Sequence, residues 1–330
     1  MDGAAPTPRA RGPLFALDDL AAAGRVVGRA MAPTPQLCWP LLSEAVGAEV
    51  WVKHENHTPT GAFKVRGGLV HLDRLAREPE PPAGVVSATR GNHGQSLAYA
   101  ARTTGTRAVV VVPEGNNPEK DAAMRAFGAE VVVAGGDFDE ARGHAVALAG
   151  ERGLRMVPSF HPDLVLGVAT YAAELLRAVA DLDTVYVPIG LGSGIAGLIT
   201  VRDLLGLRTE IVGVVAEGAA AYADSFDAGR VLTTDRAATF VDGVACRVPD
   251  ADAFALIARG AARVLRIPDA ETAEAMRLIL RCTHNLPEPA GAIGLAALLC
   301  ERDRQRGRRV AVVLTGGNVD APTLATVLAG

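Results

Sequence analysis

The chain has 330 residues, enough for one large or two ordinary domains, and at 49% hydrophobic and 21% charged it excludes a disordered chain. A formal net charge of −4 excludes a polyanion as main partner, because such binding needs a basic footprint. No run approaches the ~18 apolar residues of a membrane-spanning helix, and the opening segment MDGAAPTPRARGP, expected to be mobile, lacks the apolar centre of a secretory signal.

Strands and helices alternate along the chain. AEVWVKHE (48–55) reads as a strand ending at the turn signal His57-Thr58-Pro59-Thr60-Gly61. A helix starts near Lys64 and runs through GGLVHLDRLARE. GVVSAT (84–89) is a short strand, and HGQSLAYAARTTG is a helix stopped by Gly105. RAVVVVPEG is a buried strand, PEKDAAMRAFG a helix with proline near its start, and AEVVVAGG a strand. DFDEARGHAVALAGERG is a helix with aspartate available at its N-terminus. TVYVPIG, EIVGVVAEG and RRVAVVLTGG are further apolar, β-branched runs, each closed by glycine.

Continuous apolar strands separated by helices imply parallel sheets covered on both faces. Ligands then sit at the C-terminal ends of the strands. REPEPPAG (77–84) reads as a loop rather than a domain boundary, and the chain has no repeats. The four cysteines, Cys38, Cys246, Cys282 and Cys300, form no CxxC pair and no zinc spacing. They read as core residues or free thiols of a reducing, cytoplasmic compartment.

Three glycine turns carry the chemistry. In VYVPIGLGSGIAG, residues Gly190, Gly192, Ser193 and Gly194 leave backbone amides free for an anion at a helix N-terminus, which suits a phosphate. GSGIAG (192–197) also satisfies G-x-G-x-x-G, with Glu217 twenty positions beyond Gly197. That spacing supports a competing reading, a dinucleotide-binding oxidoreductase. SATRGNHGQS (87–96) places Gly91, Asn92, His93 and Gly94 between a strand and a helix, a second anion nest suited to a carboxylate. LTGGNVD (314–320) sets Thr315 at the end of the last core strand. One ligand set accounts for all three: a cofactor phosphate, a substrate carboxylate, and the nearby amine of Lys64. An amine that meets a phosphorylated aldehyde forms a Schiff base, the chemistry of pyridoxal 5′-phosphate (PLP).

KHENHTPTGAFKVRGG resembles the lysine motif of the fold-type II PLP enzymes, especially the threonine/serine dehydratase and serine racemase group. TRGNHGQS is similar to their substrate loop and PIGLGSGIAG to their phosphate loop. PEPAGA (287–292) and LTGGNVD resemble two later motifs, in the same order. The resemblance implies a tryptophan synthase β-like α/β fold with two parallel-sheet domains and the active site in the cleft between them. The large PLP-binding domain is expected from residues 1–68 and 162–330, and a small mobile domain from 69–161. A homodimer is usual in this family.

The resemblance also implies roles. Lys64 carries the cofactor and moves the Cα proton, with Phe63 beside the ring. Asn92 meets the ring 3′-oxygen. Gly190, Leu191, Gly192, Ser193 and Gly194 cradle the phosphate. Thr315 meets the pyridine nitrogen, and Glu288 lines the pocket. Thr89, Arg90, Gly91, Asn92 and His93 hold the substrate carboxylate. The expected reaction is loss of water from a β-hydroxy amino acid (threonine, serine or a 3-hydroxyaspartate) to give a 2-oxo acid and ammonia. A β-replacement synthase or a racemase on the same fold is the alternative.

The chain departs from the family at three places. Arg90 stands where the racemases place a proton-donating serine, and a permanently charged arginine is a poor donor. It either reads a second anionic group on the substrate or points to solvent or a protein partner. Several relatives bind a divalent cation after the strand that ends near Glu217, but the aspartate expected six positions on is Ala223, so no metal is expected. Nothing after Gly330 corresponds to the regulatory domain of biosynthetic threonine dehydratases, so a form with a single catalytic unit is expected.

Overall fold

The computed structural model describes residues 14–330, and the segment expected to be mobile, 1–13, lies outside the described residues. The strands are β1 (Gln36–Cys38), β2 (Glu49–His54), β3 (Gly84–Ala88), β4 (Arg107–Val112), β5 (Glu130–Val133), β6 (Arg155–Met156), β7 (Thr184–Pro188), β8 (Glu210–Ala216), β9 (Arg263–Ile267) and β10 (Arg309–Leu314). They form a six-stranded sheet in the order β1-β2-β10-β7-β8-β9 and a four-stranded sheet in the order β5-β4-β3-β6.

Pairing is parallel throughout except at the edge, where β1 runs antiparallel to β2. The apolar runs behave as period-2 strands with both faces covered. Val185, Val187, Ala311 and Val313 join one apolar layer with Tyr171 and Leu198 from two covering helices. Tyr186, Val310, Val312 and Leu314 join the opposite layer with Ile293 and Ala297 of the helix Pro289–Cys300. The edge strand β9 differs. Its Arg263 pairs with Glu210 and Glu301, and its Arg266 with Asp224 and Asp227.

The helix boundaries follow local chemistry. Asn92–Thr104 ends on Gly105 in the left-handed conformation (φ 70°), where glycine carries no steric penalty. Phe138–Arg152 starts on Asp137, whose side chain accepts from the Glu140 amide at 2.9 Å. Of the cysteines, only Cys246 is buried. Cys38 and Cys300 are exposed, and all four are free thiols, so reading them as core holds at one position.

The sheets meet through three helices, Lys64–Leu75, Asn92–Thr104 and Pro162–Ala178. The Gly-Gly that follows Val65 and Arg66 lets them approach. A Cβ on Gly67 would lie 2.8 Å from the Leu164 carbonyl oxygen, and one on Gly68 would lie 2.9 Å from that of Ser96. Gly167 faces back, with no room for a side chain beside the Arg66 carbonyl. The helices therefore touch backbone to backbone.

Arg66 carries a buried charge cluster on the same helix. Its guanidinium donates to Glu55 at 2.7 and 3.0 Å, to Glu174 at 2.7 and 2.9 Å, and to the hydroxyls of Thr170 and Thr34 at 3.0 and 3.2 Å. Lys53 adds an ion pair to Glu174 at 2.6 Å. Two cations face two anions, so the cluster is neutral and its polar atoms are satisfied. Arg66→Met would leave Glu55, which is fully buried, without its guanidinium. Urea denaturation is expected to show a loss of about 3–5 kcal/mol in unfolding free energy. A loss under about 1 kcal/mol, the range of an exposed pair, would contradict a structural role.

Candidate active site

Lys64 opens its helix at the end of a fixed turn. The Thr58 hydroxyl accepts from the Ala62 amide and donates to the Ala62 carbonyl, both at 2.9 Å. Gly61 takes φ 68°, and a Cβ there would fall 2.5 Å from Asn318 Oδ1. The Phe63 amide donates to the Thr315 carbonyl at 2.9 Å, which ties the turn to the end of β10. Ser96 Oγ donates to the Lys64 carbonyl at 2.6 Å, which ties it to the second helix. Lys64 is partly buried, and its amine forms no hydrogen bond or ion pair among the described residues. Burial lowers its pKa, against the pull of Glu288 and Asp242, which raise it.

The glycine turn after β7 leads into the helix Ser193–Leu204. The amides of residues 190–195 have no acceptor among the described residues. Gly192 takes φ 96°, and a Cβ there would meet that of Ala253 at 2.8 Å. A Cβ on Gly190 would meet the Gly243 carbonyl oxygen at 2.5 Å, and one on Gly194 would lie 3.8 Å from the Phe63 ring. The glycine loop thus lies beside Phe63, the residue that precedes Lys64. Gly197, the last glycine of the dinucleotide pattern, packs instead: its Cβ would lie 3.2 Å from the Ala169 Cα. Glu217 sits just beyond β8, exposed to solvent.

From the four-stranded sheet comes the turn at residues 89–93. Thr89 is buried, and its hydroxyl accepts from the Gly91 amide at 3.0 Å. The amides of Asn92, His93 and Gly94, in the first turn of Asn92–Thr104, have no acceptor among the described residues. The His93 ring is buried with its Nε2 unpartnered. Burial, with Lys64 and His71 adding to it, lowers its pKa to about 3, so the ring is neutral. Arg90 is exposed and forms no ion pair among the described residues.

Asn92 joins the two halves. Its amide nitrogen donates to both Glu288 oxygens at 2.8 and 3.0 Å. Its carbonyl accepts from Asn318 at 2.8 Å, and Asn318 also donates to the Thr60 carbonyl at 2.8 Å. Glu288 is buried, and burial followed by the Asp242 charge pushes its carboxyl up to about 7. Nearby, Lys120 pairs with Asp242 at 2.5 Å. Burial opposes the Lys120 charge, but Asp242 and Glu288 raise its pKa overall. Thr315 is buried, and its hydroxyl has no partner among the described residues.

Lys120, Asp242 and Asn318 lie against the candidate site, and the sequence reading did not name them. Asn318 lies within LTGGNVD and had a signal. Lys120 reads as an ordinary helix-surface lysine, and its partner is 122 positions away.

Among the described residues, one group could hold a metal ion: His71, His161 and Asp163. Asp163 is already paired with Arg74 and His71, and His161 Nδ1 accepts from the Asp163 amide at 3.2 Å. Asp224, next to Ala223, pairs with Arg266 at 2.7 Å. The amine, the acceptor-free amides and the crowded glycines fit a phosphorylated aldehyde.

Residues 27–316 match the family described as pyridoxal-phosphate dependent enzyme. The chain is 35% identical over 314 residues to the L-threo-3-hydroxyaspartate ammonia-lyase of a Pseudomonas species, covering 95% of this chain and 98% of that one. It is 32% identical over 304 residues to the biosynthetic L-threonine dehydratase IlvA of Haemophilus influenzae, covering 91% of this chain but spanning only 59% of that protein's length. The processed form of threonine deaminase isoform 2 from Solanum lycopersicum superimposes with a TM-score of 0.89 at 30% identity, covering 94% of this chain and 91% of that one. With this fold and these matches, the chain belongs to the pyridoxal-phosphate dependent enzymes.

Proposed function

We propose that this PLP-dependent lyase removes water from a β-hydroxy amino acid, with Lys64 carrying the cofactor. The observation that carries the reading is the Lys64 amine, partly buried and unpartnered beside acceptor-free amides. When bound, the cofactor supplies an aldehyde for amine exchange and an electron sink for charge at Cα. The amides of residues 190–194 would hold its phosphate, and Phe63 would stand beside it. Thr315 would offer the ring nitrogen a neutral hydroxyl, which would not keep a proton there as a carboxylate would.

The amides of Asn92, His93 and Gly94 receive the substrate carboxylate. Asn92, whose amide protons both go to Glu288, would turn one of them to the ring 3′-oxygen of a bound cofactor. Lys64 Nζ, neutral more readily because burial lowers its pKa, takes the Cα proton. Residues 69–161 act as a small unit that closes over the substrate and excludes water. Separate sheets for the two halves support that division.

The four free thiols support a reducing, cytoplasmic setting. No helix among the described residues is long and apolar enough to cross a membrane. Leu37 on the edge strand β1 and Leu41 on the helix Pro40–Val46 are exposed, and a second copy of the chain assembled there as a homodimer would bury them.

Lys64→Ala is expected to be colourless and to lose ammonia and 2-oxo acid release by several orders of magnitude. Borohydride on the yellow wild-type protein should leave its added mass on the Lys64 peptide. A colourless wild type after loading with PLP, or an active Lys64→Ala, would end this reading.

Glu288 gives a pH prediction. Its carboxyl sits at about 7, above its ordinary 4.5, so folding favours the protonated form. That stability is present below pH 4.5 and is lost as pH rises through 7, a change on the order of 3 kcal/mol. Urea denaturation of Glu288→Gln should show a flatter pH profile across that window than the wild type. Parallel profiles would refute the assignment.

Arg90, exposed at the mouth of the turn at residues 89–93, gives a specificity prediction. If it reads a second carboxylate, Arg90→Ala should reduce kcat/KM on 3-hydroxyaspartate about 10-fold or more beyond any loss on threonine. An equal loss on both substrates removes that role.

A further inference from the structure

Two buried tyrosines touch the loop at residues 190–194. Tyr171 is fully buried, and Tyr222 is 1% exposed. The Tyr222 hydroxyl accepts from the Asp250 amide at 3.1 Å and donates to the Leu191 carbonyl at 3.1 Å. The direction follows from chemistry. The Asp250 amide can only donate, so the hydroxyl proton goes to Leu191. Asp250 is itself fixed as a helix cap, accepting from the Ala253 amide at 2.9 Å. The Tyr171 hydroxyl donates to the Gly194 carbonyl at 3.1 Å. Burial raises both phenol pKa values, so both hydroxyls keep their protons at working pH.

We infer that Tyr222 and Tyr171 are positioning residues for the cofactor phosphate, setting the amides that receive it. The inference rests on the reading of residues 190–194 as the phosphate loop. In a planar trans peptide the carbonyl and the following N–H point in opposite directions. A hydroxyl that fixes the Leu191 carbonyl also fixes the Gly192 amide, aimed the other way. One that holds the Gly194 carbonyl does the same for Ile195. Both amides lack acceptors among the described residues.

The two tyrosines are not equal. Gly194 lies inside the helix Ser193–Leu204, whose own hydrogen bonds already orient its peptide. Leu191 lies outside it, next to Gly192 at φ 96°, and has no helical ladder to hold its plane. The glycines fit the tyrosines closely. A Cβ on Gly192 would lie 3.4 Å from the Tyr222 oxygen, and one on Gly194 would lie 3.3 Å from the Tyr171 oxygen.

The test titrates apoprotein with PLP and with pyridoxal, which keeps the aldehyde but lacks the phosphate. Tyr222→Phe keeps the ring and removes only the hydroxyl. Its Kd for PLP should rise roughly 3- to 10-fold, the range for one lost hydrogen bond, with Kd for pyridoxal unchanged. Tyr171→Phe should show a smaller rise, also confined to PLP. As a second readout, inorganic phosphate should raise the thermal midpoint of wild-type apoprotein more than that of Tyr222→Phe. Equal weakening for PLP and pyridoxal would make the tyrosines merely structural and overturn the inference. Unchanged PLP affinity in both variants would overturn it too. If wild type binds PLP no better than pyridoxal, the phosphate-loop reading itself fails, and the inference with it.

Discussion

The structure depends on backbone contact between three helices. Gly67, Gly68 and Gly167 carry no side chains where the helix beginning at Lys64 meets its two neighbours. That contact sets how near the two sheets stand, and so how near the Asn92 turn comes to Lys64. The Arg66 cluster fastens the same helix to Glu55, just past β2, and to Glu174, toward the C-terminal end of Pro162–Ala178, with buried ionic hydrogen bonds, and Lys53 of β2 pairs with the same Glu174. The first places the helix and the second holds it against rotation. Lys64 inherits its position from both.

Electrostatics in the site follow from burial. Lys64, Glu288 and Lys120 crowd together where little water enters, and each is pushed toward the protonation state that its neighbours allow. Glu288 is drawn toward protonation and Lys64 toward neutrality, so the pair approaches charge balance without an ion pair. Such opposed shifts between neighbouring groups characterise proton-handling sites. The loop after β7 offers something different, acceptor-free backbone amides whose dipoles do not titrate.

Much of the fold was legible in the chain. β-branched apolar runs gave away β2 through β5 and β7, β8 and β10, and glycine and aspartate marked helix ends at Gly105 and Asp137. Three strands were missed. β1 and β6 have three and two residues, too few for a pattern. β9 reads RVLRI, with two arginines that only tertiary partners explain. The site was legible as ordered motifs, and the structure brings Lys64, Asn92, Glu288, Thr315 and the loop at 190–194 together. Their individual roles are proposals. Residues that act through long-range pairing, such as Lys120, Tyr171 and Tyr222, leave no local trace. The dinucleotide pattern shows the converse: a spacing can match while its last glycine serves helix packing.

The pair between Lys120 and Asp242 makes the seam answer to salt. Its lysine is nearly dry, and its aspartate is 43% exposed at the side chain. Water and salt reach it from one flank only. Opening the halves there parts the ammonium from its counter-ion while solvent already bathes the aspartate, so rising ionic strength loosens the seam from that flank.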